Sequence, residues 1–219
     1  MPETYPEMVG VLPDTFRLQM SAELAQTLRL SLDRRALTQF CGQVAIPLES
    51  MAQLQIIFTD QRVGKVQDMS RVRRGMQTVA YGTFAVYVDM THDMPSERGL
   101  VAIDVPAIEQ VTAAGVILPD FSWRRPSPDA DRAIFDRNMS SVLVHELFHF
   151  RDYLDVKRQA EQPTTRVNQF QKLLPRRHGP EAITHTTPMD NEFGVRQATK
   201  EYFANHHTVD KLVRSRPAP

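Results

Sequence analysis

His145, Glu146 and His149 stand inside the apolar run SSVLVHELFHFRDYLD, Ser140–Asp155, where packing alone favours Leu or Val. Two imidazoles four residues apart project from one face of an α-helix, one turn from each other. Their ring nitrogens can then converge on one metal ion. Glu146 points about 100° away around the helix, so it can reach a water on that ion without being a ligand. Zinc lowers the pKa of such a water toward about 7, and Glu146 would take the proton as general base while a carbonyl is attacked. The H-E-x-x-H spacing thus has a mechanical origin. The bland alternative, two buried histidines satisfied by neighbouring carbonyls, needs partners for both imidazoles and for the carboxylate.

A helix must carry these residues. Ser127-Pro128-Asp129 supplies its start: a capping Ser, Pro at the first helical position and an acid in the first turn. The helical pattern runs to about Lys157, in one piece or broken near Asn138. Upstream, Ser21 caps an expected helix carrying Leu24, Leu28, Leu32 and Leu37 and ending near Cys41–Gly42. Residues 55–59, 76–80, 83–90 and 99–105 are rich in Val, Ile and aromatics and read as strands. Tyr81-Gly82 suggests a tight hairpin between the second and third of these. Residues 162–188 read as a long connection with a short helix near 166–174. Asp190 can cap a last helix from Asn191 to about Arg214. The expected layout is a loose tail at 1–13, one domain at 14–214 and a frayed tail at 215–219.

Composition narrows the classes of function. The chain has 219 residues, 42% hydrophobic and 24% charged, enough for a core without staples. A formal net charge of zero gives no global field toward nucleic acid or anionic membrane. The basic run Arg71–Arg74 reads as a solvated turn. Cys41 is the single cysteine, which excludes an internal disulfide. No apolar run approaches the roughly 20 residues of a membrane span. The N-terminal residues lack the pattern of a signal peptide, so the expected location is cytoplasmic, or outside the cell by a route that does not read such a peptide.

The segment His145-Glu146-Leu147-Phe148-His149 resembles the active-site helix of the zincin metallopeptidases. Asn191-Glu192, opening a downstream helix, resembles the third-ligand helix of gluzincins. The combination in a small chain is also similar to zinc protease effectors that bacterial pathogens inject into host cells. The resemblance implies a zincin-like α+β fold: a small twisted sheet, an active-site helix and a C-terminal ligand helix. It implies a Zn2+-dependent metalloprotease acting on a protein or peptide substrate, with Glu146 as general base and His145, His149 and Glu192 as ligands. A non-catalytic, zinc-stabilised or degenerate-protease binding domain is the competing expectation.

The third ligand has rivals. Glu201 shares the last helix with Glu192, and Asp155 lies six residues after His149, where metzincins carry a ligand. Arg196 sits four residues after Glu192, so an ordinary surface ion pair is an alternative role for Glu192. A hydrolase of this kind needs an oxyanion donor. Tyr202 is the expected one, with His206, His185 and Arg196 as rivals. The strand at 99–105 is the expected sheet edge for an extended substrate. Trp123-Arg124-Arg125-Pro126 reads as an exposed rim or as a packed loop.

Overall fold

A computed structural model of the chain describes residues 17–61, 63, 65–66, 78–79, 81–89, 96–125, 128–161, 183–184, 192–206 and 212–217. From the N-terminus come β1 (Arg17–Met20), α1 (Ala22–Thr27), β2 (Leu28–Leu32), α2 (Arg34–Gln43), a 3-10 turn (Leu48–Gln53) and β3 (Leu54–Thr59). Then follow β4 (Lys65–Val66), β5 (Thr78–Val79), β6 (Gly82–Asp89) and β7 (Ser96–Asp104). α3 (Val105–Ala113) leads to a hairpin of β8 (Val116–Ile117) and β9 (Ser122–Trp123), and then to the long α4 (Pro128–Glu161). β10 (Ile183–Thr184), α5 (Glu192–Asn205) and β11 (Val213–Pro217) complete the described chain.

Period-two alternation builds the sheet. Leu54, Ile56 and Phe58 of β3 are buried, as are Gly99, Val101 and Ile103 of β7, with half-buried residues between them. The two strands pair in parallel, Ile56 beside Val101. β1 adds in parallel to the far side of β3. β6 runs antiparallel to β7, and β10 antiparallel to β6. The order is β1-β3-β7-β6-β10. The architecture is mixed α and β, a small sheet with helices, compatible with the α+β class.

α4 is the axis of the core. Between Met139 and Phe150 every residue except the half-buried His145 is buried, as expected of a helix enclosed on all sides. On one side Phe150 meets Phe84 of β6, ring centres 5.8 Å apart. On another, Phe148 meets Phe40 of α2 edge-on at 5.8 Å, and Phe40 meets Tyr202 of α5 at 5.0 Å. β11 docks by hydrogen bonds: Ser140 Oγ accepts from Val213 N–H at 3.0 Å, and Asp136 Oδ1 from Ser215 N–H at 2.9 Å. No described helix is both long and apolar enough to cross a membrane.

Several expectations are corrected. The single helix expected from Ser21 to Cys41 is two helices flanking a strand. Ser21 caps α1, but Asp33 caps a second helix through Ala36 N–H, and Leu28–Leu32 between them pairs with β11. Leucines at 28, 30 and 32 satisfy a two-residue period as well as a helical one, and the partner strand decides between them. The last helix ends at Asn205, and that same pairing makes 213–217 a strand, so the expected tail is ordered to Pro217. Ser215 is buried there. α4 is unbroken at Asn138, whose buried side chain bonds to neighbouring elements and leaves its own helix intact. Among the described residues the Tyr81-Gly82 hairpin does not form: β5 pairs with β4, and β6 with β7 and β10. Arg71–Arg74, the 1–13 tail, Ser127 and the 166–174 helix lie outside the described residues.

Candidate metal centre

His145 and His149 lie one turn apart on α4, with ring centres 4.9 Å apart. Glu192 opens α5, which packs along α4 and carries its carboxylate to the two rings. His149 Nε2 stands 3.3 Å from His145 Nε2 and 3.1 Å from Glu192 Oε2. His145 Nε2 stands 3.4 Å from the same oxygen. Donors about 2.0–2.1 Å from a tetrahedral ion stand roughly 3.3 Å from one another. All three separations match the edges of such a tetrahedron. Hydrogen bonds alone fit less well. A carboxylate can accept from both Nε2–H groups, but the two donors then face each other. A shared cation removes that conflict.

The surroundings favour a negative Glu192. Burial alone would raise its pKa, but hydrogen bonds to His145 and His149, and to Arg196, hold the carboxyl far below the usual carboxylate range. Arg196 Nε donates to Glu192 Oε1 at 2.6 Å, leaving Oε2 for the histidines. The helical ion pair and the ligand position are therefore compatible, since each uses its own oxygen. For His149, burial opposes the charged form, but the Glu192 bond and the charges of Glu146, Glu192 and Asp152 prevail, and its pKa is raised. Arg196→Ala is expected to lower the affinity of the group for an added divalent cation by roughly tenfold through loss of this orienting bond. Competition titration against a chelator measures it.

Glu146 is 4% exposed and faces β6. Phe84 N–H donates to its carboxylate. Its Oε2 is buried and meets no partner among the described residues. Such an orphaned acceptor beside three converging donors fits a site built to hold an ion and a water. Burial pushes the Glu146 pKa up.

The other expected site residues lie elsewhere. The Tyr202 hydroxyl donates to Gln43 Oε1, and its ring stacks on His206 at 4.3 Å. It lies ten residues beyond Glu192, about 15 Å along the helix, so the structure does not bring it to the gathered histidines. His206 is turned the same way. Glu201 is exposed and accepts from Gln197 at 2.7 Å, and Asp155 faces Arg158 at 3.6 Å. Neither joins the histidines, while Glu192 does. His185 lies outside the described residues. The strand at 99–105, within β7, is flanked by β3 and β6 and offers no free edge.

Two contributors escaped the sequence reading: Gly82 and the Phe84 N–H. A Cβ on Gly82 would stand 2.7 Å from Val142 Cγ1 and 2.9 Å from Glu146 Oε1. Only glycine allows β6 to lie this close to α4. A glycine opening an apolar strand was the available signal. Comparison with known protein families, curated proteins and solved structures finds no match for the chain.

Proposed function

We propose that the chain is a zinc-dependent metallopeptidase of zincin type that cuts peptide bonds in a protein substrate. The observation that carries this reading is the convergence of His145, His149 and Glu192 at tetrahedral spacing beside the unpartnered Oε2 of Glu146. Among the described residues this group has three protein donors, so a fourth position is left for water or substrate, as in catalytic rather than structural zinc sites.

His145, His149 and Glu192 would hold the ion, with Arg196 aligning Glu192. Bound zinc supplies a Lewis acid that polarises the substrate carbonyl and acidifies a water. Glu146 takes the proton. The Phe84 N–H holds its carboxylate in place, and burial makes it a stronger base than an exposed glutamate. The place for an extended substrate passes from β7 to the outer edge of β6. There the Phe84 N–H lies at Glu146, and two-residue β10 is the edge's partner among the described residues. A peptide laid along Gly82–Phe84 brings its backbone next to the base. Action inside a host cell is part of the same proposal and rests on the resemblance alone.

Metal analysis of protein purified without chelator, followed by hydrolysis assays on a peptide library, tests the reading. About one zinc per chain is expected. Protein that is metal-free and fails to take up added zinc sinks it. Stoichiometric iron would redirect it toward oxygen chemistry, for which two histidines and a carboxylate also serve. Gly82→Ala is expected to displace Glu146, lowering turnover at least tenfold and stability by about 1–3 kcal/mol. Kinetics and thermal melting check the pair of effects.

A further inference from the structure

We propose that the β8–β9 hairpin is a docking tip that seats the protein on an anionic phospholipid surface. Phe121 and Trp123 at this tip are 58% and 69% exposed, the most exposed large hydrophobic side chains among the described residues. Their exposure does not come from a loose loop. Arg124 N–H donates to Gly115 C=O at 2.7 Å and closes the hairpin base. Asn138, fully buried on α4, accepts from Leu118 N–H at 2.8 Å and donates to Val116 C=O and Thr112 Oγ1, both at 3.0 Å. One buried amide thus ties the hairpin to the helix that carries the histidines.

Both aromatics are presented as apolar surface. The Trp123 indole N–H is already bonded to Ala114 C=O at 3.1 Å, so the exposed ring offers no donor to a partner. Phe121 has φ 54°, the left-handed region where glycine or asparagine is the usual occupant. A bulky ring held there, gaining little packing, is strain retained for an outward purpose.

Charge surrounds the apolar tip. Arg124 and Arg125 follow it directly and are exposed. Arg124 also lines a cavity of about 400 Å³ with Arg137, Arg214, Ile117 and Ile134. In that cavity the carboxylate of Asp136 accepts from Ser215 N–H and Oγ, and Arg214 pairs with Asp33 at 3.4 Å, so the exposed Arg124 and Arg125 are the charges that belong to the tip. Behind the two apolar rings the exposed Arg124 and Arg125 outnumber Asp120, the exposed acid of the tip, so a chain of zero net charge carries a local positive excess there. This layering matches a bilayer surface, where rings enter the acyl boundary and guanidiniums sit among phosphates. The proposal is independent of the peptidase reading.

Trp123 is the chain's one tryptophan, so its emission reports the tip directly. Vesicles of phosphatidylcholine, alone and mixed equally with phosphatidylserine, are the probes. Blue-shifted emission and co-sedimentation are expected with the anionic vesicles only, weakening as salt rises. Phe121→Gly relieves the strained φ, so it should melt no lower than the wild type yet bind roughly tenfold more weakly. Arg124→Gln with Arg125→Gln should weaken binding by about tenfold or more. No response to either vesicle, equal response to both, or wild-type binding by Phe121→Gly overturns the proposal and leaves the tip to a protein partner.

Discussion

Glu146→Ala is expected to lower turnover by about a thousandfold or more while zinc stays bound. The reason lies in the division of labour around the helix. His145 and His149 point at Glu192, whereas Glu146 turns toward β6 and offers its unpartnered Oε2. Removing it takes away the proposed proton acceptor and none of the three gathered donors. Stability should hold or rise. The variant deletes a carboxylate that is 4% exposed and whose Oε2 has no partner among the described residues, a burden on folding that the proposed role explains. Metal analysis, melting temperature and turnover on one verified substrate are measured together. Wild-type turnover in a zinc-loaded Glu146→Ala protein would remove the general base from the mechanism. Loss of zinc in that variant would mean instead that the carboxylate is a ligand.

The second large effect concerns the ligands. His149→Ala is expected to lose the metal, and Glu192→Ala to weaken it by at least an order of magnitude. Glu201→Ala and Asp155→Ala should leave affinity unchanged, because Glu201 is held by Gln197 and Asp155 faces Arg158. The asymmetry between the two strong variants follows from position. His149 is 5% exposed in the core, while the Glu192 side chain is 33% exposed and water can take its place. Zinc titration of the four proteins decides the matter. Tight binding by Glu192→Ala would break the triad, however well its distances suit an ion.

What could be read without a structure was local. A helix turns about 100° per residue, so the spacing of His145 and His149 is enough to place them on one face. Val- and Ile-rich runs likewise announce β3, β6 and β7, because alternation is a property of each strand alone. Glu192 as partner to the histidines required more, a resemblance at Asn191-Glu192, since no local rule spans 43 residues.

What depended on distant contacts needed the tertiary structure. Leu28–Leu32 is a strand because Val213–Pro217 pairs with it, and that same pairing makes 213–217 a strand. Tyr202 looked well placed on the ligand helix, but Gln43 of α2 takes its hydroxyl. β7 had the composition of a strand, yet β3 and β6 close both its edges. Gly82 matters only because α4 crosses β6 at that point. Sequence alone determined which side chains can do chemistry and how a single helix arrays them. Which distant groups meet them was decided by packing, because strand partners and helix contacts are chosen by long-range burial that no local period encodes.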